Sequence, residues 1–326
     1  MPKIQLYFRT PPETDRFLPG DRYLRPIIRR LLRGKKTSGI RKVFENLCLG
    51  FDQLGISYAV NTDFNQIQPG EPVVVLGLGR YALDGYDKPN PVIAGIGLMT
   101  HPSEWPDLFD QFPVAAYLQH SAWTNNLYAA HYGAGKCKIW PAGIGTNKWA
   151  PDINATKQFD ILIYNKVMWD KQETYNKLVS PIIQKLEQLG LSYIEISYGS
   201  YNEREYFKLL NKSRAMIFLC EHESQGFACC EAMAMNVPIL AWDQGHWLDP
   251  NRFAWGDPNV PATSVPYFDD RCGMKFINYT HFEQLIDIFW DKVTANGFCP
   301  RDYVLENLTL EKSAQQMLEI ISQVYA

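Results

Sequence analysis

The sequence predicts an α/β protein built on two doubly wound parallel sheets, and three observations predict it. Short, almost wholly apolar runs alternate with amphipathic stretches, the pattern of central parallel strands covered by helices on both faces. The alternation lapses across residues 140–158 (WPAGIGTNKWAPDINATKQ), rich in Pro, Gly and Asn and without either periodicity, and then starts over. The 326 residues suffice for two cores of about 150 residues each. The expected domains are 1–150 and 151–326, with a terminal helix able to pack back on the first.

In the first half the strand candidates are Ile4 to Phe8, Ile56 to Val60, Val73 to Leu76, Val92 to Ile96 and Val114 to Leu118, with a helix over Ile40 to Leu54. In the second half they are Asp160 to Tyr164, Tyr193 to Ser197, Ala215 to Leu219 and Pro238 to Trp242. Leu310, Ala314, Met317, Leu318 and Ile321 recur at helical spacing and predict a closing helix over Thr309 to Val324. Gly77, Gly79 and Ala82 after an apolar run match the G-x-G-x-x-A dinucleotide fingerprint. They sit on an interior strand, and no acidic residue ends a strand about 20 residues on, so an ordinary strand-end loop is expected.

The formal net charge of −3 gives no global basic field, so nucleic acid is not expected as a partner. Seven cysteines form no C-x-x-C pair and no metal-ligand spacing, and their odd number argues against a complete disulfide framework, as in a reducing cytoplasm. No apolar run approaches the ~20 residues that span a bilayer, and the N-terminus reads as a strand, not a signal peptide. Residues 21–36 (DRYLRPIIRRLLRGKK) are basic and amphipathic. They suit peripheral contact with an anionic membrane or an acidic or lipid-linked acceptor, and equally a helix packed on the first domain with a solvated basic face.

Chemistry concentrates in Phe218 to Asp243, FLCEHESQGFACCEAMAMNVPILAWD: a strand, a loop, a helix opening near Gly226 and another strand. Backbone N–H groups in a first helical turn lack helical partners, and the helix dipole adds positive charge, so a phosphate can dock there. Glu223 and Glu231, one on each side of that turn, can accept hydrogen bonds from sugar or ribose hydroxyls. Upstream, Lys166 and Lys171 stand five apart in ILIYNKVMWDK, where a strand ends. Two lysines by themselves are ordinary surface charge, and Cys229 and Cys230 beside Glu231 read as small core fillers.

The spacing of Glu223 and Glu231 resembles the E-x7-E motif of retaining glycosyltransferases of the GT-B fold, and ESQGFACCEAMAMNVPILA is similar to the family 4 pattern. The resemblance covers nearly the whole chain and is weakest between Pro11 and Lys36. It implies two Rossmann-like domains facing a cleft. Glu223 would face the donor sugar and Glu231 the ribose, with Gly226, Phe227 and Ala228 lending phosphate-facing backbone. Lys166 and Lys171 would neutralise the departing diphosphate; the family usually has Gly-Arg where this chain has Asn165 and Lys166, so the bidentate fork is lost. Gly39 would let the backbone approach the donor, though one glycine of the usual pair is missing. His101 would touch the donor sugar, and Tyr198 and Gly199 would lie where backbone recognises the base; His101 suits a loop histidine satisfied by backbone as well.

The function implied is transfer of a sugar from a UDP- or GDP-sugar to a glycan or lipid-linked acceptor with retention of configuration, in cell-surface polysaccharide synthesis. No D-x-D occurs, so cations and helix dipoles take the place of a metal, and neither metal nor cofactor is expected. Three rivals stay in view: a hydrolase with Glu223 and Glu231 as paired carboxylates, a non-catalytic nucleotide or glycan binder, and an NAD-dependent oxidoreductase resting on Gly77.

Overall fold

The computed structural model describes residues 2–15, 18, 22 and 38–326. The basic stretch 21–36 therefore lies, apart from Arg22, outside the described residues. The chain divides into two compact units, Met1–His120 with Tyr128–Gly143 and Ser313–Ala326, and Ser121–Leu127 with Ile144–Lys312.

The first unit holds six parallel strands in the order β2-β1-β3-β4-β5-β6: β1 (Ile4–Arg9), β2 (Tyr58–Val60), β3 (Val73–Gly77), β4 (Val92–Gly95), β5 (Val114–Gln119) and β6 (Cys137–Ile139). Helix α1 (Gly39–Gln53) covers this sheet because Val43, Phe44, Leu47 and Phe51 fall on one face at helical spacing and are all buried. Ser38 caps its start by accepting from Arg41 N, and Gly55, in the left-handed region at φ 66, ends it. Ile56, expected in a strand, is used in this exit, its N–H donating to Phe51 O, while Ser57 O accepts from Ile4 N next to the β1–β2 ladder. Helix α2 (Ala122–Tyr132) follows β5.

The second unit holds five parallel strands in the order β11-β10-β9-β7-β8: β7 (Phe159–Lys166), β8 (Tyr193–Ser197), β9 (Ser213–Cys220), β10 (Ile239–Trp242) and β11 (Gly273–Phe276). Its longer helices are α3 (Ser180–Gln188), α4 (Glu203–Lys212), α5 (Phe227–Ala234), α6 (Tyr279–Thr294) and α7 (Pro300–Asn307). Asn202 and Glu205 close a reciprocal capping box on α4, and α6 turns Phe282, Ile286 and Phe289 into the core from its Asn278 cap. Arg301, on α7, ties down the end of α5: its guanidinium donates to Ala234 O, to Trp149 O at 2.9 Å and to Thr146 O at 3.2 Å.

The last helix, α8 (Leu310–Tyr325), belongs from Ser313 onward to the first unit. Trp140 Nε1 donates to Ser313 O at 2.9 Å, the Ser313 hydroxyl donates to Pro141 O at 2.7 Å, and the Tyr325 hydroxyl accepts from Val73 N at 3.0 Å. Residues 140–158 contain only an isolated bridge, Ile144 to Thr309, and from Ile144 onward they are part of the second unit. The strand ends at Gly77 and Gly79 lead into a single 3-10 turn, Arg80–Leu83, not the helix that a dinucleotide fingerprint needs. Gly77 is instead required by packing, since a Cβ there would stand 2.1 Å from Arg9 O. No helix among the described residues is long and apolar enough to cross a membrane.

Candidate functional site

Parallel strands bring their carboxyl ends to one edge, and ligands of such sheets sit where connections leave in opposite directions. In the second unit that point lies between β7 and β9, since the chain goes from β7 outward to β8 and then back past it to β9. Lys166 and Cys220, which end these strands, are register partners. The Lys166 ammonium donates to Glu223 Oε1 at 2.5 Å, with side chains only 19% and 13% exposed. Burial alone would push this lysine's pKa down, but the charge and hydrogen bond of Glu223, with Cys220 and Tyr198 nearby, together outweigh it and the net shift is upward. The ammonium also lies over the Tyr198 ring, 4.7 Å from its centroid.

Glu223 is fixed through its backbone. Its N–H donates to Thr263 O at 2.9 Å and its carbonyl accepts from Trp123 Nε1 at 2.8 Å. Thr263 is itself braced by Asp243, which accepts from the Thr263 hydroxyl and from Ser264 N, both at 2.9 Å, and pairs with Lys275 at 3.0 Å. Gly226 adopts φ 75, a left-handed conformation that favours glycine, and a Cβ there would stand 3.6 Å from Glu223 Cβ. It starts α5 without a capping side chain. The first helical bond is Cys230 N to Gly226 O at 2.9 Å, so the amides of Phe227 and Ala228 precede the helical ladder at its positive end.

Glu231, on the same helix, is 4% exposed. Its charge reaches Tyr201 and Tyr206: burial first, and Glu231 further, raise the Tyr201 phenol to about 12, and burial first, then Tyr164, Tyr201 and Glu231, push Tyr206 well above its ordinary value. The Tyr201 and Tyr164 hydroxyls share a 2.7 Å hydrogen bond, and the Tyr206 hydroxyl donates to Ala228 O at 2.7 Å. A cavity of about 420 Å³ opens beside β7 and β8, with Asn165, Met168, Lys171, Tyr175, Ser197 and Tyr198 in its wall. Asn165 is locked there, donating to Glu195 Oε1 at 2.9 Å and accepting from Val167 N at 3.1 Å. Thus Lys166, Glu223 and Gly226 adjoin one another, Tyr198 links them to the cavity that holds Lys171, and Glu231 lies one to two turns along the helix that Gly226 opens. Gly199, at φ 84, makes the turn beyond Tyr198 with open space where a Cβ would stand.

Gly39 and His101 belong to the first unit. Gly39 is the first residue of α1 and has nothing within 4 Å of a Cβ, so packing does not demand glycine. His101 is fully buried and caps the turn Pro102–Glu104: its Nδ1 accepts from Ser103 N at 3.2 Å and lies 2.7 Å from Ser103 Oγ. Those bonds are the local satisfaction expected of a loop histidine, and an Nδ1 that accepts leaves the ring proton on Nε2. Cys229 and Cys230 are buried, with burial pushing both thiols up, which fits core filling. Sequence reasoning passed over Glu221 and His222, whose only signal is their place between a strand end and Glu223.

Burial pushes both His120 and His222 down to about 4, Lys166 and Arg252 adding to the effect at His222. A histidine whose folded pKa lies below its ordinary 6.5 is protonated first in the unfolded chain. Its contribution is therefore complete above about pH 6.5 and is lost as pH falls toward 4. At pH 5 the fully buried His120 should cost about 2 kcal/mol and the partly exposed His222 less. Urea midpoints measured between pH 7 and 5 should fall, and His120→Gln should flatten the slope; an unchanged slope in that variant would refute the assignment.

No protein-family model matches this chain, and no curated protein matches its sequence. Solved structures do match, and they define the class: the fold is GT-B, two parallel-sheet Rossmann-like units, as in glycosyltransferases. HepE of Anabaena in complex with UDP aligns with a TM-score of 0.55 at 12% identity, over 99% of this chain and 100% of that one. A mutant of S. aureus TarM in complex with fondaparinux, α-GlcNAc-glycerol and UDP aligns at 0.54 and 9% identity, over 86% of this chain and 58% of that one. Sucrose-phosphate synthase from Thermosynechococcus elongatus aligns at 0.51 and 12% identity, over 78% and 74%. At these identities the likeness is one of fold.

Proposed function

We propose that this chain is a glycosyltransferase of the retaining, family 4 kind, taking a sugar from a UDP- or GDP-sugar to a glycan or lipid-linked acceptor in cell-surface polysaccharide synthesis. The observation that carries the proposal is the Lys166–Glu223 pair at the switch point of the second sheet, beside the uncapped start of α5. A cation, a carboxylate and a helix N-terminus at one strand edge offer a diphosphate its charge partners and a sugar its hydroxyl acceptor.

In this reading Lys166 turns from Glu223 to the donor's diphosphate, where Lys171 and the amides of Phe227 and Ala228 join it. Glu223, released, accepts from the donor sugar's hydroxyls, and Glu231 accepts from the ribose. The bond from the anomeric carbon to the β-phosphate oxygen breaks as a bond to the acceptor oxygen forms on the same face. The acceptor's proton passes to the departing phosphate oxygen. Lysine charge and the helix dipole stabilise that leaving group, and the scheme uses no divalent ion or cofactor. The base lies near Tyr198 and Gly199; Gly39 and His101 are assigned to the donor side on family resemblance.

Thermal unfolding against UDP- and GDP-sugars tests this reading, with UDP first because two of the structural neighbours were solved with it. A ligand at 100 times its Kd adds about 2.7 kcal/mol to the folded state, a shift of roughly five to ten degrees for units of this size. One nucleotide class should stabilise the wild type and fail to stabilise Glu231→Ala and Lys171→Ala. If no nucleotide sugar shifts the wild type, the transferase reading falls.

A further inference from the structure

The segment between the two candidate lysines lies in no strand, yet the three consecutive residues that follow β9 take hold of it and of Lys166 before it. Glu223 takes Lys166, as above. Glu221 takes the backbone: a single oxygen, Oε1, accepts from Met168 N at 2.8 Å and from Trp169 N at 3.1 Å. His222 takes the side chain, its ring stacked on the Trp169 indole at 5.2 Å and 13°. Asn165 Oδ1 adds the preceding amide, Val167 N, at 3.1 Å. Three successive N–H groups that a turn would otherwise aim at an anion are thus occupied by the protein's own side chains. Asp170 then adopts φ 44 and turns the chain into Lys171.

Glu221 is built for holding and not for solvent contact. It is 2% exposed, and its second oxygen is buried with no hydrogen-bond partner among the described residues. Burial raises its carboxyl group above the usual range while the amides of Trp169 and Met168 pull it back. Burial first, with the charges of Lys166 and Arg252, pushes His222 down to about 4, so the stacked ring is neutral near pH 7.

We propose that Glu221 and His222 are positioning residues that set the path of residues 167–170 and so fix where Lys171 presents its ammonium to a nucleoside diphosphate. This rests on the transferase reading for the identity of the ligand, but not for the hold on the segment. Glu221 acts here as a two-fold acceptor of fixed reach, so a neutral isostere serves and a shorter acid does not.

The test uses the full chain with Glu221→Gln, Glu221→Asp and Glu221→Ala. Hydrogen exchange at the amides of Met168 and Trp169 reads the hold, and binding of UDP against uridine, with GDP against guanosine in parallel, reads its effect on the diphosphate. Glu221→Asp and Glu221→Ala should exchange at least tenfold faster at those two amides and bind the diphosphate about tenfold more weakly, with nucleoside binding unchanged. Glu221→Gln should stay within about twofold of wild type in both. A general loss of packing would move nucleoside and diphosphate together, so their ratio isolates the positioning role. Should Glu221→Ala fail to fold, the Gln and Asp pair still decides. Retention in Asp with loss in Gln would make charge and not reach the cause and overturn the proposal, as would unchanged exchange in both. If the wild type binds neither nucleotide the transferase reading fails, and the proposed role of Glu221 toward a diphosphate fails with it. The exchange arm then reports whether the hold itself is real.

Discussion

Lys166→Met should lower stability by about 2 to 4 kcal/mol, a large effect for one substitution near a surface cleft. The cause is what it leaves behind: a Glu223 carboxylate, 13% exposed, without the ammonium that stood 2.5 Å away. Breaking a buried ion pair by removing one partner costs more than removing both, because the surviving charge stays desolvated. Lys166→Met combined with Glu223→Gln should therefore recover most of the lost stability, and urea midpoints of the four proteins form the double-mutant cycle that measures it. Sugar transfer should behave differently. If the ammonium stabilises the leaving diphosphate, single and double variants alike should lose at least 100-fold in kcat, a loss typical of removing one electrostatic stabiliser. Stability that recovers while activity does not separates architecture from chemistry; activity that returns in the double variant would remove Lys166 from the mechanism.

Gly273→Ala should cost about 3 kcal/mol or more and release β11 from the second sheet. Gly273 pairs with Ile239 in the β10–β11 ladder, and a Cβ built on it would stand 1.9 Å from Ile239 O and 2.7 Å from Ile239 C. Its φ of 145 adds strain for any L side chain. Nothing flexible lies in the way, so the clash is relieved only by separating the strands. Gly39→Ala is the control, expected to be neutral or slightly stabilising at an open helical position. The tests are far-UV circular dichroism and denaturant unfolding. A Gly273→Ala protein as stable as the wild type would mean that the ladder can shift by more than an ångström at no cost.

The sequence was legible wherever burial on both faces wrote a continuous apolar run. Val73 to Leu76, Ile161 to Tyr164 and Ala215 to Leu219 lie in strands with neighbours on either side, and their interiors are found where they were expected. The two missed strands, Cys137–Ile139 and Gly273–Phe276, are both sheet edges. An edge needs less apolar surface, which leaves room for Lys138 and Lys275 and shortens the run below what periodicity can detect. At the site, Glu223 and Gly226 stand out in sequence because their residue types are unusual next to a buried helix. Glu221 and His222 do not, since their work is to grip a segment more than fifty residues away, and that pairing exists only once β7 and β9 lie side by side. His101 shows the converse: a residue type rich in chemistry whose Nδ1 is spent on capping one turn of backbone.

The helix that closes the chain carries a consequence for how the protein is made. Trp140 and Val73 find hydrogen-bond partners at Ser313 and Tyr325. A ribosome adding about 5 to 20 residues per second reaches those partners roughly ten to thirty-five seconds after it has finished residue 143. The second unit runs to Lys312, so both units are completed by the same late stretch of chain, against the usual order in which the earlier domain settles first. Until then Val73 N and Trp140 Nε1 are without these acceptors. Chaperone capture during synthesis, and tolerance to deletion, should therefore be decided within Leu310–Tyr325 and not in the first strands.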